Sequence, residues 1–259
     1  MRQEHLSAMK NLFAKIADRY DTMNRIMSLG LDRLWRRSAL KRIELSERCK
    51  ILDLACGTGD FTVELARLWP NAETIGVDLT PRMLDIAREK LFGIPNVAYL
   101  TGDAQNLSML KSDEFSLIVC AFGFRNFPDK AKALSECHRL LAGGGRLVVL
   151  ELFRPTSRIA GMLVNTWLAV VSRLFASDAS TEYRYLRRSV ANTVTAAEFI
   201  ATAEDCGFSL CRNSFFPPAA TCITFKRNST PKSHRCDSSK AKCPDGRTDE
   251  PRYRLSFFI

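Results

Sequence analysis

The sequence predicts an α/β fold with a doubly wound, mainly parallel sheet and an antiparallel C-terminal edge. Three observations carry this. Short apolar runs alternate with segments of helical period across residues 49–151, as strand–helix–strand crossovers require. A glycine turn follows the first apolar run. Two final runs, 209–214 and 221–226, have no helix between them, so they pair antiparallel. The chain has 259 residues, 46% apolar and 25% charged, which is enough to bury a large core. Fibrous, disordered and multi-pass membrane classes are excluded, since no stretch reaches the ~20 apolar residues of a bilayer span.

The elements follow in order. Leu6, Met9, Leu12, Phe13, Ile16 and Tyr20 recur at helical spacing over residues 6–27, and a second helix follows Gly30. Residues 1–48 are expected to form a helical N-terminal cap. Residues 50–55 read as a buried strand entering the Cys56-Gly57-Thr58-Gly59 turn. A helix over 60–68 and a strand over 73–78 come next. Thr80-Pro81 opens another helix, with Thr80 the candidate cap and Pro in the first turn. Strands are expected at 96–100, 115–121 and 146–151. A helix at 129–141 should stop at Gly143-Gly144-Gly145. Residues 156–200 form a helical insertion. Within it, 159–174 reads as a core or pocket helix, with membrane contact the alternative. A helix at 196–206 stops at Gly207. Residues 49–227 thus form the main domain, and the polar stretch from Asn228 onward should be disordered. Its His234, Cys236 and Cys243 lack the spacing of a structural zinc site, so no metal is expected.

The net charge is +10, unevenly spread. Residues 1–48 carry 11 Lys and Arg against 6 Asp and Glu, while residues 49–155 carry 12 against 13. Basic flanks suit an anionic surface or simple solubility. Aromatics interleaved with the basic residues, the mark of a nucleic-acid groove, are missing, so no nucleic-acid partner is expected. Cys49, Cys56, Cys120, Cys137, Cys206 and Cys211 lie in or beside apolar segments and read as reduced, mostly buried thiols of a cytosolic protein. Residues 1–5 open no secretory signal pattern.

In a doubly wound sheet the ligand sits beyond the carboxyl ends of the strands. The glycine turn, Asp78, Asp103, Ala121 and Glu151 all fall there. Thr62 occupies the third glycine position of a dinucleotide fingerprint, and a Gly-Lys-Ser/Thr sequence is missing, which argues against both NAD and a P-loop. Asp78, 19 residues after Gly59, can accept both hydroxyls of a ribose; a helix-cap role is the alternative. His138 lies mid-helix, away from the strand ends, and reads as structural.

Leu52-Asp53-Leu54-Ala55-Cys56-Gly57-Thr58-Gly59-Asp60 resembles the first motif of the class I methyltransferases, Rossmann-like enzymes that bind S-adenosyl-L-methionine. Gly76-Val77-Asp78 and Gly102-Asp103-Ala104 stand where their second and third motifs stand. More specific stretches are Ile16-Ala17-Asp18-Arg19-Tyr20-Asp21-Thr22-Met23-Asn24, Phe122-Gly123-Phe124-Arg125-Asn126-Phe127-Pro128 and Tyr183-Arg184-Tyr185-Leu186. These resemble the ubiquinone/menaquinone biosynthesis C-methyltransferases. The resemblance runs from about Asn11 to Arg227. Ala121 replaces a frequent serine and Cys56 a frequent glycine.

The resemblance implies the cofactor S-adenosyl-L-methionine, with Asp53, Gly57, Thr58 and Gly59 at its amino-acid end. It places Asp78 at the ribose, Asp103 and Ala104 at the adenine, Leu79 among the cofactor-binding residues, and Ala121 contributing backbone only. It implies methylation of a ring carbon of a prenylated quinol, most directly demethylmenaquinol. Arg125 is then the candidate for stabilising a phenolate-like oxygen, Asn126 for orienting the ring hydroxyl, and Asp60 or Tyr20 for accepting the proton. A carboxylate such as Asp129 is the alternative partner of Arg125, and core packing the alternative role of Tyr20. A prenylated acceptor implies a cytoplasmic protein peripherally attached to the membrane, through the basic N-terminal region and the 159–174 helix. A homodimer is left open. A different small acceptor, or a non-catalytic cofactor-binding protein, are the competing readings.

Overall fold

A computed structural model describes residues 2–157, 161, 162, 166, 167, 170, 185 and 188–228. The sequence-predicted helix at 159–174 therefore lies mostly outside the described residues, as does the stretch after Asn228. Helices α1 (Arg2–Met27) and α2 (Leu31–Leu40) precede β1 (Lys50–Leu54). Then come α3 (Asp60–Leu68), β2 (Glu73–Asp78), α4 (Pro81–Lys90), β3 (Val97–Thr101) and β4 (Phe115–Ala121). A 3-10 turn (Phe124–Asn126), α5 (Lys130–Leu140), β5 (Leu141–Glu151), α6 (Ala196–Asp205), β6 (Phe208–Phe216) and β7 (Ala220–Arg227) complete the fold. The seven strands lie in the order β3-β2-β1-β4-β5-β7-β6. All pairings from β3 to β5 are parallel, and β7 is antiparallel to β5 and β6.

Strand alternation divides the core between the two faces. Ile51, Leu117, Val119, Val148 and Leu150 pack under α2 and α3 with Trp35, Phe61 and Leu65. Leu52, Ile118, Leu147 and Val149 pack under α5 and α6 with Leu134 and Phe199. Because both faces are covered, the parallel strands read as continuous apolar runs. The order reverses between β1 and β4, whose neighbours run outward in opposite directions. The crevice at their carboxyl ends is the topological switch point.

Three expectations change. Gly143-Gly144-Gly145 does not stop a helix: α5 ends at Leu140, and the glycines lie inside β5. The register jumps there from Phe115↔Leu141 to Leu117↔Arg146, a bulge that glycine accommodates because it lacks a Cβ. A Cβ on Gly145 would stand 2.9 Å from the Ala142 carbonyl oxygen. Thr80 occupies the N-cap of α4 without a side-chain bond; the Asp78 carboxylate takes its N–H instead, at 2.8 Å. Strand β3 begins one residue later than the sequence predicts. Cys211 is exposed and Cys206 half-buried, whereas Cys49, Cys56, Cys120, Cys137 and Cys222 are buried free thiols. Cys211 lies on an edge strand with only one neighbour, which leaves it open to solvent. His138 packs edge-on against Phe208.

Candidate active site

The turn after β1 needs backbone that ordinary residues avoid. Gly59 has φ 82°, and a Cβ there would meet Tyr99 Oη at 2.9 Å and the Ala87 Cβ at 3.0 Å. Only glycine lets α3 start so close to α4. The Gly57 N–H donates to Asp78 Oδ2 at 2.9 Å, while Asp78 Oδ1 accepts from Thr80 N. The carboxylate thus ties the end of β2 to the glycine turn and caps α4 at once. Burial raises its pKa, against the pull of these backbone bonds. Each oxygen keeps a further acceptor direction for a ligand.

A cleft of about 740 Å³ opens at this point, lined by Asp78, Leu79, Met83, Asp103, Ala104 and Phe127. Helix α1 closes it from above with Met9, Phe13 and Tyr20. Asp103 Oδ1 accepts from the backbone and side chain of Gln105. A carboxylate at a strand end between flat apolar walls suits a nucleoside.

A second chamber shares Tyr20, Ala55, Gly57 and Ala121 with this cleft and adds Asp21, Arg36, Asp53, Thr58 and Asp60. It holds carboxylates and one guanidinium, a donor set that fits an amino-acid zwitterion. Thr58 Oγ1 donates to the Asp21 carboxylate. Lys90 bridges Asp21 at 2.5 Å and Asp60 at 2.7 Å. Asp53 is buried and accepts from Thr62 Oγ1 at 2.6 Å. Burial dominates there and pushes its pKa up to about 7. Arg36 is 5% exposed and bonded to Asp32 at 2.6 Å. Its Nε is buried without a partner.

An apolar pocket of about 580 Å³ lies on the far side of Phe122, lined by Met27, Trp35, Leu152, Trp167, Val190 and Arg125. Phe122 borders both this pocket and the nucleoside cleft. It adopts φ 59°, a strained value for a bulky residue that marks functional turns. Its ring sits between two guanidiniums, Arg36 at 5.8 Å and Arg125 at 5.9 Å. Arg125 Nη1 holds the Phe122 carbonyl at 2.7 Å and Glu151 Oε1 at 2.8 Å. Glu151 is fully buried, and it also accepts from the backbone N–H groups of Arg125 and Leu152. The partner of Arg125 is therefore Glu151. Asp129 instead caps α5 through Lys132 N.

Asn126 borders the nucleoside cleft. Its Oδ1 accepts from Tyr185 Oη at 2.8 Å, which orients its Nδ2 the other way. Burial raises the pKa of both Tyr20 and Tyr185, so both phenols stay protonated near neutral pH. Burial is the largest influence on Asp60 and raises its pKa, but Lys90, Arg36 and Arg25 together make the net shift downward. Asp60 lines the polar chamber rather than the apolar pocket and is bonded to Lys90. The structure thus groups Asp53, Gly57, Thr58, Asp60, Asp78, Leu79, Asp103, Ala104, Ala121, Tyr20 and Asn126 around the joined chambers. Gly59 shapes the turn from outside, and Arg125 faces the apolar pocket. Sequence reasoning missed Asp21, Arg36 and Tyr185 as site residues.

This strand order and crevice define the class I methyltransferase fold. Two solved structures share it: a SAM-dependent methyltransferase from Thermotoga maritima (TM-score 0.61, 20% identity, 85% of this chain and 100% of that one) and another from Aquifex aeolicus (TM-score 0.57, 18% identity, 79% and 97%). The model of the ubiE/COQ5 methyltransferase family matches residues 1–226, and the chain belongs to that family. It is 40% identical over 204 residues to the demethylmenaquinone methyltransferase of Thermotoga maritima (77% of this chain, 87% of the relative). It is 37% identical over 206 residues to the ubiquinone/menaquinone biosynthesis C-methyltransferase UbiE of Geobacter sulfurreducens (77% and 80%).

Proposed function

We propose that the chain methylates a ring carbon of a prenylated quinol, most directly demethylmenaquinol, using S-adenosyl-L-methionine. One observation carries this: in a chain of this family, a nucleoside cleft and an apolar pocket meet at Phe122, with Arg125 and Asn126 at the junction. The names of the relatives supply the acceptor class.

When bound, S-adenosyl-L-methionine supplies an electrophilic methyl group. Asp78 would accept from the ribose hydroxyls, and Ala104, Leu79 and Met83 would flank the adenine. Arg36 would hold the carboxylate of the amino-acid end, and the carboxylates beside it would hold the ammonium. The acceptor ring enters from the apolar pocket. Arg125 Nε is buried and unpartnered, and Asn126 Nδ2 has only the Phe122 carbonyl, at 3.5 Å; these two would be the donors offered to the ring oxygen. Charge-assisted donors in a dry site stabilise the phenolate as it forms. That pushes electron density to the adjacent carbon, which becomes the nucleophile. Tyr20 and Tyr185 stay protonated and act as donors rather than bases, so the hydroxyl proton would pass to solvent as the phenolate forms. The carbon would take the methyl as the methyl–sulfur bond breaks and leaves a neutral thioether. The ring C–H proton would return to the oxygen through solvent as aromaticity is restored.

A prenyl tail keeps the acceptor in a bilayer. No described helix is long and apolar enough to cross a membrane, and the reading is a protein working from the cytoplasmic face of that bilayer. Mass spectrometry of the quinol after incubation with the cofactor tests the proposal. The expected product is heavier by one methylene. An unchanged quinol, with cofactor binding intact by calorimetry, would overturn the acceptor assignment.

A further inference from the structure

Helix α2 divides its charges. Asp32, Trp35, Arg36, Ala39 and Leu40 are buried against the domain. Arg33, Arg37 and Lys41 are exposed and recur every four residues, so they form one ridge along the outer face. Leu34 beside them is 54% exposed, and Leu29 just before the helix is 62% exposed. Like charges stacked at this spacing repel one another and weaken a helix. Among the described residues only Arg37 is relieved, by Glu64 at 3.0 Å.

The charge continues past the helix end. Arg42, Arg146 and Arg212 line a groove of about 550 Å³ with Ala39, Ile43, Cys211 and Thr224. Arg146 donates to the Arg42 carbonyl and Arg212 to Ser214 Oγ. Among the described residues none of the three has a carboxylate within ion-pair distance. Lys226 pairs with Arg146 in register across β5 and β7, so its side chain stands on the same sheet face. Guanidiniums gathered without counter-charge favour a polyanion.

We infer that the outer face of α2 and this arginine groove form a docking surface for an anionic phospholipid bilayer. The inference rests on the prenylated acceptor proposed above. Charge complementarity supports it, as do the two exposed leucines set among the basic residues, the pattern of an interfacial helix. Position supports it too: Ser28, Asp32 and Trp35 line the apolar pocket, while Ala39 and Arg42 line the groove. Asp32 and Leu40 lie eight residues apart on α2, about 12 Å of helix, and Arg42 follows two residues beyond its end. A bilayer against α2 thus lies beside the pocket that takes the acceptor.

Co-sedimentation of the full chain with vesicles tests this. One set is phosphatidylcholine alone, the other an equal mixture with phosphatidylglycerol. Binding to the mixed vesicles should exceed binding to the neutral ones and fall with added salt. Each surface charge contributes about fivefold in partition. The triple variant R42Q/R146Q/R212Q should therefore bind mixed vesicles on the order of 100-fold more weakly, and R33Q/K41Q about 20-fold more weakly. Both should keep the wild-type melting temperature and the wild-type rate on quinol in detergent. Equal binding to neutral and mixed vesicles, or variants that hold mixed vesicles as the wild type does, would overturn the inference. So would a wild type that ignores vesicles but binds single-stranded RNA through the same arginines. Charge-dependent docking together with an unmethylated quinol in detergent would instead sink the acceptor assignment and leave the surface standing.

Discussion

Glu151→Ala tests how the junction is held. Glu151 is fully buried and serves three donors: Arg125 Nη1 at 2.8 Å, Arg125 N at 3.0 Å and Leu152 N at 2.7 Å. The Arg125 side chain is 8% exposed, so truncating its partner leaves a guanidinium in a dry site without a counter-ion. Breaking one half of a buried pair costs about 3–5 kcal/mol. At roughly 2–4 °C per kcal/mol for a domain of this size, the melting temperature should drop by about 6–20 °C. Removing both charges relieves the stranded one. Glu151→Ala/Arg125→Ala should therefore be less destabilised than the sum of the two single variants. Thermal unfolding of the four proteins gives the cycle. Additive losses, or a Glu151→Ala protein that melts with the wild type, would refute the reading of this pair as the clamp. Glu151→Gln keeps the shape and drops the charge. It should slow methyl transfer at least about 10-fold through a displaced Arg125. Its affinity for S-adenosylhomocysteine should stay unchanged, because Glu151 lines neither cofactor chamber.

Three further outcomes are expected. Arg36→Met should weaken S-adenosylhomocysteine about 10-fold or more by calorimetry, as loss of a charge-assisted bond predicts. It should leave 5′-methylthioadenosine, which lacks the amino-acid end, unaffected; equal losses for both would remove Arg36 from that end. Asp53 has a folded pKa of about 7 against an ordinary 3.8, so the fold favours its protonated form. Its contribution is present at low pH and is lost as pH rises from about 4 to about 7. Asp53→Asn should therefore gain a few kcal/mol over the wild type at pH 8, and lose that advantage near pH 4, in urea titrations; a pH-independent difference would contradict the burial argument. Tyr185→Phe frees the Asn126 amide to turn over. It should lower kcat by roughly 3–10-fold, the worth of one hydrogen bond, with S-adenosylhomocysteine binding unchanged.

Much of this architecture is legible in the sequence because buried parallel strands are short apolar runs. The ends of those runs place Asp78 and the glycine turn in one crevice. The failures share a cause: a sequence shows neighbours along the chain, and sites are built across it. Asp129, four residues after Arg125, looks like its partner. Glu151 holds that place because Ala121 and Leu150 are paired across β4 and β5. The glycine run at 143–145 looks like a helix stop, since only the sheet register shows that β5 has already begun. Asp21 and Thr58 meet only once α1 has folded over the crevice.

Arg36 is the sharpest case. Asp32 and Arg36 stand at i, i+4 spacing, which on an exposed helix describes a surface pair of small worth. The helical period offers a correction, for Arg36 shares its face with Trp35, Ala39 and Leu40, all of them buried. A surface pair on that face would have to displace the core under α2. The same rotation that turns Arg36 inward turns Arg33, Arg37 and Lys41 outward. On the reading proposed above, one basic segment would supply both the cation that holds the cofactor and the ridge that meets the anionic bilayer. The two roles are separable by charge: substitutions on the ridge should move vesicle binding alone, and substitution of Arg36 should move cofactor binding alone.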